Sequence, residues 1–176
     1  MTYQIISTFN GSVTNCSLSE LSQRLKLNSI LCELGADNSV TDSWPLVHET
    51  LVTFAVEFAD YALKHYTKKK IPEAEACIAL TRKWLKNQDS VSNEELKVAA
   101  NAAVDAAYAA YAATAAAYAA DAAAADAATY AATYAATAAA NAAGKSKEAE
   151  LIRQGGFIVE YLRAAAATLS TDSVAA

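Results

Sequence analysis

The chain has little of what usually bends or braces a backbone. Its 176 residues include five glycines, two prolines, three cysteines and one methionine. So few Gly and Pro exclude a collagen-like chain or a flexible linker protein. Cys16, Cys32 and Cys77 are odd in number and far apart, which excludes a disulfide scaffold and a zinc ribbon. Positive charge is missing from one long stretch: Ala99 to Ala143 holds Asp105, Asp121 and Asp126 but no base. Residues 1–98 carry ten basic and twelve acidic groups, and residues 144–176 carry four of each, for a net charge of −5. Without a basic stripe to neutralise phosphates, no nucleic-acid partner is expected. The only basic run, Lys68-Lys69-Lys70, reads as a solvated helix end.

Long aliphatic runs are missing too. Residues 127–144 are uncharged and long enough to span a bilayer, but they contain no Leu, Ile, Val or Phe. A segment of Ala, Thr and Tyr partitions poorly into lipid, so no membrane association is expected. The N-terminus, Met1-Thr2-Tyr3-Gln4, has neither a basic nor an apolar leader region, and the expectation is a cytoplasmic protein with reduced cysteines. Metalloprotease, nucleophile-elbow, P-loop and dinucleotide signatures are all missing. His48 and His65 stand seventeen residues apart on one predicted helix, about 25 Å along its axis, too far to share a metal or a proton. No catalytic residue, metal ligand or cofactor is therefore assigned.

What the chain does have is alanine. It accounts for 44 residues, and 30 of them lie between Ala99 and Ala143. The interruptions, one from each cluster, fall at 101, 105, 108, 111, 114, 118, 121, 126, 130, 134, 137 and 141. Eleven steps over 40 residues average 3.64, the α-helical repeat. The larger side chains therefore form one stripe and the rest is methyl surface. Alanine is also the best helix former. A 45-residue helix would be about 67 Å long, more than a domain of this size covers. A break is expected near Asp121 to Asp126, where an Asp can cap a second helix, and the two halves should pack antiparallel. The competing picture is one uninterrupted rod.

Around this window the expected architecture is all-α, a compact multi-helix bundle with alanine-rich, close-packed helices. Tyr3 to Phe9 permits a short N-terminal strand or extended arm before the Asn10-Gly11 turn. Ser17-Leu18-Ser19-Glu20 is a capping box that predicts a helix to about Leu27. Thr41-Asp42-Ser43-Trp44-Pro45 reads as a helix start. Leu51, Phe54, Ala55, Phe58, Ala59, Ala62, Leu63 and Tyr66 then recur at helical steps, giving an amphipathic helix of about six turns. Pro72 opens the next helix, with Cys77, Leu80, Trp84 and Leu85 on one face. Ser92-Asn93-Glu94-Glu95 is a second capping box, and Gly144 sits where a C-terminal cap belongs. A last helix is predicted from about Ser146 to Thr168, weakened or bent at Gly155-Gly156. The expected organisation is an N-terminal arm or small helical region over residues 1–40, a helical bundle over 41–168, and a frayed tail over 169–176.

The order of motifs adds a resemblance. Leu51-Val52-Thr53-Phe54-Ala55-Val56-Glu57-Phe58-Ala59-Asp60-Tyr61-Ala62-Leu63 is followed by a Pro72-started helix with Ala79-Leu80-Thr81-Arg82-Lys83-Trp84-Leu85. Val91-Ser92-Asn93-Glu94-Glu95-Leu96 and the alanine window come next. This succession, over about residues 46–165, resembles the immunity protein family found beside bacterial polymorphic toxins and, as alanine-rich variants, in phage genomes. The resemblance implies an all-helical, non-enzymatic protein that binds and neutralises a partner protein, either a toxin or a host defence protein. Bacterial members of that family often carry His within their alanine helices. This chain has Tyr, Thr, Asp and Asn there, closer to the phage variants, so no functional residue carries over by position.

The stripe itself supplies the candidate protein-binding residues: Tyr108, Tyr111, Tyr118, Asp121, Asp126, Tyr130 and Tyr134. Tyrosine suits a surface that is apolar on one side and wet on the other. The alternative function is a structural, self-assembling helical module, a homo-oligomer joined through its alanine face.

Overall fold

A computed structural model describes residues 2–68, 70–106, 111–124 and 128–172, with side chains described outside 105–113, 121–122, 124–132 and 169–172. Four strands come first: β1 (Thr2–Ser7), β2 (Val13–Cys16), β3 (Ser29–Leu34) and β4 (Val40–Leu46). They form an antiparallel sheet in the order β2-β1-β3-β4. Six helices follow among the described residues: α1 (His48–Tyr66), α2 (Pro72–Lys86), α3 (Asn93–Ala106), α4 (Tyr111–Ala124), α5 (Ala128–Ala142) and α6 (Lys147–Asp172).

The all-α expectation is therefore corrected: the protein is mixed, a helical bundle joined to a sheet built from its first 46 residues. Side chains alternate across that sheet. Tyr3 pairs with Cys16 and Glu33, Ile5 with Leu31, and Leu31 with Trp44, and all of these turn inward and are buried. The strand-like composition of β1 was legible, but the partners it pairs with lie 7 to 32 residues away, where local pattern carries no signal.

Two helix starts misled for different reasons. Ser17 and Glu20 form half of their box: the Glu20 carboxylate accepts from the Ser17 backbone N–H at 3.0 Å and from its hydroxyl at 2.8 Å, while the Glu20 backbone N–H donates to the Ser17 carbonyl. Only a single 3-10 turn, Leu21–Gln23, follows. Leu21 and Leu25 are buried in the shared core, and Asn28 at φ 54° then turns the chain into β3. The Thr41–Pro45 segment is β4, an edge strand on which Pro45, opposite Ile30, costs no interior ladder bond. β4 also spans the expected boundary at residue 40. Sheet and helices share one hydrophobic core, from Tyr3 and Ile5 through Phe54 and Phe58 to Ile158 and Leu162.

The other local signals correspond to the structure. α1 buries Leu51, Phe54, Ala55, Phe58, Ala59 and Ala62. Pro72 stands at the first turn of α2, and Ser92 and Glu95 cap α3 reciprocally at 2.8 and 3.2 Å. Gly144 follows α5 at φ 57°, a left-handed conformation that glycine adopts without strain.

The alanine window is neither a rod nor a pair but three helices. α4 packs along α3 on one side and α5 on another, and also against α1 and α2. Tyr118 of α4 and Tyr134 of α5 have ring centroids 5.2 Å apart, whereas sixteen residues of one helix would separate them by about 24 Å. α4 and α5 are therefore separate helices lying side by side, divided in the region where a break was expected. Whether Asp126 caps α5 lies outside the described residues. The division between α3 and α4 had no signal in the periodicity.

Methyl surfaces make this packing close. Ala115, Ala116, Ala117, Ala119 and Ala120 of α4 are buried, as are Ala135, Ala136 and Ala138 to Ala140 of α5. Side chains from neighbouring helices reach bare backbone: the Cys77 thiol donates to the Ala116 carbonyl at 3.3 Å, and the Gln154 amide to the Ala136 carbonyl at 3.1 Å. α6 is continuous through Gly155-Gly156, against the expected weakening. A Cβ on Gly155 would stand 2.0 Å from the Leu18 carbonyl oxygen, so this glycine is what admits the N-terminal segment onto α6. Arg163 near the end of α6 pairs with the buried Glu33 of β3, a second tie between helix and sheet.

Candidate protein-binding face

Of the seven stripe residues, Tyr118 and Tyr134 are the two whose side chains are described. Tyr108 and Asp126 lie outside the described residues, and the side chains of Tyr111, Asp121 and Tyr130 are likewise outside them. The described pair does come together. Tyr118 is half-buried against the core, while Tyr134 is 53% exposed, and the two rings meet at an interplanar angle of 30°.

The pair belongs to the α4–α5 hairpin, whose backbones are held by methyl contacts rather than by long, rotatable side chains. Beside it the Thr137 hydroxyl donates to the Thr133 carbonyl at 2.9 Å, so that hydroxyl is spent on its own helix. The result is a rigid support presenting aromatic area at the seam of two helices. Tyrosine in such a position offers an apolar ring and a hydroxyl at small cost in side-chain entropy, the combination enriched at energetically dominant interface positions.

A second polar cluster has no counterpart among the sequence candidates. Glu150, in the first turn of α6, is 1% exposed. Its carboxylate accepts from Arg153 at 2.6 and 2.8 Å, from the Gln154 amide at 3.0 Å and from the Tyr66 hydroxyl at 2.8 Å. The Arg153 guanidinium in turn lies over the Tyr61 ring at 3.6 Å, and Tyr61 stacks on His65 at 4.1 Å. Burial, reinforced by the bond to Glu150, pushes the Tyr66 hydroxyl up to about 12. A carboxylate with four donors has little acceptor capacity left for a substrate. This cluster ties the end of α1 to the start of α6. The Glu150–Arg153 spacing was visible in the sequence, but Tyr66, 84 residues away, was not.

The histidines stand apart, as their spacing required. His48 packs on Trp84 with ring centroids at 5.5 Å, and His65 sits on Tyr61. Among the described residues no group of three or more His, Cys, Asp or Glu side chains could hold a metal ion. No described helix is long and apolar enough to cross a membrane. No family model, no curated protein and no solved structure matches the chain.

Proposed function

We propose that this chain is a non-enzymatic binding protein that neutralises a partner protein, as an immunity protein or a phage counter-defence inhibitor does, and that it works in the cytoplasm. The observation that carries the reading is the Tyr118–Tyr134 pair, in which the exposed Tyr134 ring rests on the half-buried Tyr118 of an alanine-packed helix pair. The motif order of residues 46–165 supports it independently. The self-assembly alternative relied on a free alanine face. The described alanines of the α4–α5 seam are instead buried within the chain itself, which favours a heterologous partner. Three buried free thiols, Cys16, Cys32 and Cys77, suit a reducing compartment.

The test is capture from host lysate with the tagged full chain, beside the Tyr134→Ser variant, which changes the exposed ring of the pair. The wild type is expected to retain one specific protein that the variant loses by about tenfold or more, with the melting temperature of the helical bundle little changed. Recovery of the chain alone, or equal capture by the variant, would overturn the reading.

A further inference from the structure

At the corner where α1 ends and α2 begins there is a cavity of about 600 Å3, within the usual size range of small-molecule sites. Among the described residues four cations, Lys64, Lys68, Lys70 and Arg82, and two carboxylates, Asp60 and Glu75, line it. Four against two leaves the lining two charges positive, and still one positive when Glu57, which Arg82 also holds, is counted, in a chain whose net charge is −5.

The charges are not equivalent. Asp60 is engaged by Lys64 at 2.6 Å and by Arg82 at 3.0 Å, while Arg82 also holds Glu57 at 2.8 Å. Burial works against ionising Asp60, but the bonds from Lys64 and Arg82 outweigh it and hold the carboxyl below its ordinary range. This carboxylate is thus neutralised and fixed in place, and repels an incoming anion little. Lys68 and Lys70 are exposed and have no ion-pair partner among the described residues. Behind the cations the wall is apolar: Leu63 and Ile71 are half-buried and Ile78 is buried. A bare inorganic anion would leave that apolar surface wet. A ligand with a compact anionic head and a ring-sized apolar body satisfies both parts.

We infer that the α1–α2 cavity binds a small organic phosphate monoester, its phosphate between Lys68 and Lys70 and its apolar body against Leu63, Ile71 and Ile78. Lysine ammonium groups suit a phosphate as mobile point charges. This site is separate from the tyrosine pair and makes no use of the partner-binding reading.

Calorimetric titration of the full chain with 1-naphthyl phosphate tests it, with inorganic phosphate as the second titrant. Saturable one-to-one binding of 1-naphthyl phosphate is expected, with inorganic phosphate weaker by about tenfold or more. The Lys68→Gln/Lys70→Gln variant, altered only at exposed side chains, should keep its melting temperature and bind about tenfold less tightly. Absence of saturable binding, equal affinity for the two titrants, or unchanged affinity in the variant would each overturn the inference.

Discussion

Single atoms decide several contacts. Gly155 is the clearest case, because the Leu18 carbonyl oxygen occupies the place where any Cβ would stand. Its neighbour Gly156 has open space at the same position. The two glycines look alike in the sequence, as helix weakeners, and only the fold separates them. Gly155→Ala should destabilise by about 1–3 kcal/mol through overpacking. Gly156→Ala should be neutral or stabilise by about 0.5–1 kcal/mol, because alanine is the better helix former. Urea unfolding of the two variants measures the contrast. Equal effects would mean that the N-terminal segment does not sit on α6. The reach of Tyr66 to Glu150 is equally invisible in sequence, since a hydroxyl and a carboxylate 84 residues apart share no local pattern.

Helix elements were legible where their own ends and faces specify them. The Ser92–Glu95 box, Pro72 and Gly144 all mark real helix ends, because capping satisfies backbone groups within a few residues. The Ser17–Glu20 box made only the bonds to the Glu20 carboxylate, the Glu20 backbone N–H going to the Ser17 carbonyl instead of its hydroxyl, and it opened only one turn. Uniform alanine hid the division between α3 and α4, whereas the one between α4 and α5 was expected from the length of the window and its Asp residues. Every residue there favours helix, so local propensity cannot say where the chain turns. The seams of α4 with α2 and of α5 with α6, in contrast, follow from methyl size. Ala116→Leu and Ala136→Leu introduce bulk where Cys77 and Gln154 reach the backbone, and each should destabilise by about 1–3 kcal/mol. Thermal melts unmoved by either change would refute close packing at that seam.

Across the whole molecule, ionisation should bound stability on both sides. Hydrogen bonds from the Ser92 backbone and hydroxyl hold Glu95 below its ordinary 4.5, and Asp60 lies below its ordinary 3.8 despite burial. Depressed carboxyls contribute stability that is complete above those ordinary values and is lost as pH falls through the folded ones. On the alkaline side, burial raises Cys16 from 9.0 to about 11, and burial with Glu150 raises Tyr66 from 10.0 to about 12. Their contribution is complete below 9.0 and 10.0 respectively and is lost as pH rises through the folded values. Urea midpoints should therefore form a plateau between the two ranges and decline at either end, and Tyr66→Phe should flatten the alkaline limb. A limb unchanged in that variant would remove Tyr66 as its cause. The sequence by itself determined the helical register of the alanine window, most helix ends and the apolar face of α1, because these follow from periods and caps a few residues long. Tertiary structure alone decided the sheet, the division of the window into three helices, the buried Glu150 cluster and the meeting of Tyr118 with Tyr134. Each of those joins residues distant in sequence, and their energy comes from burial and pairing that exist only once the chain has closed on itself.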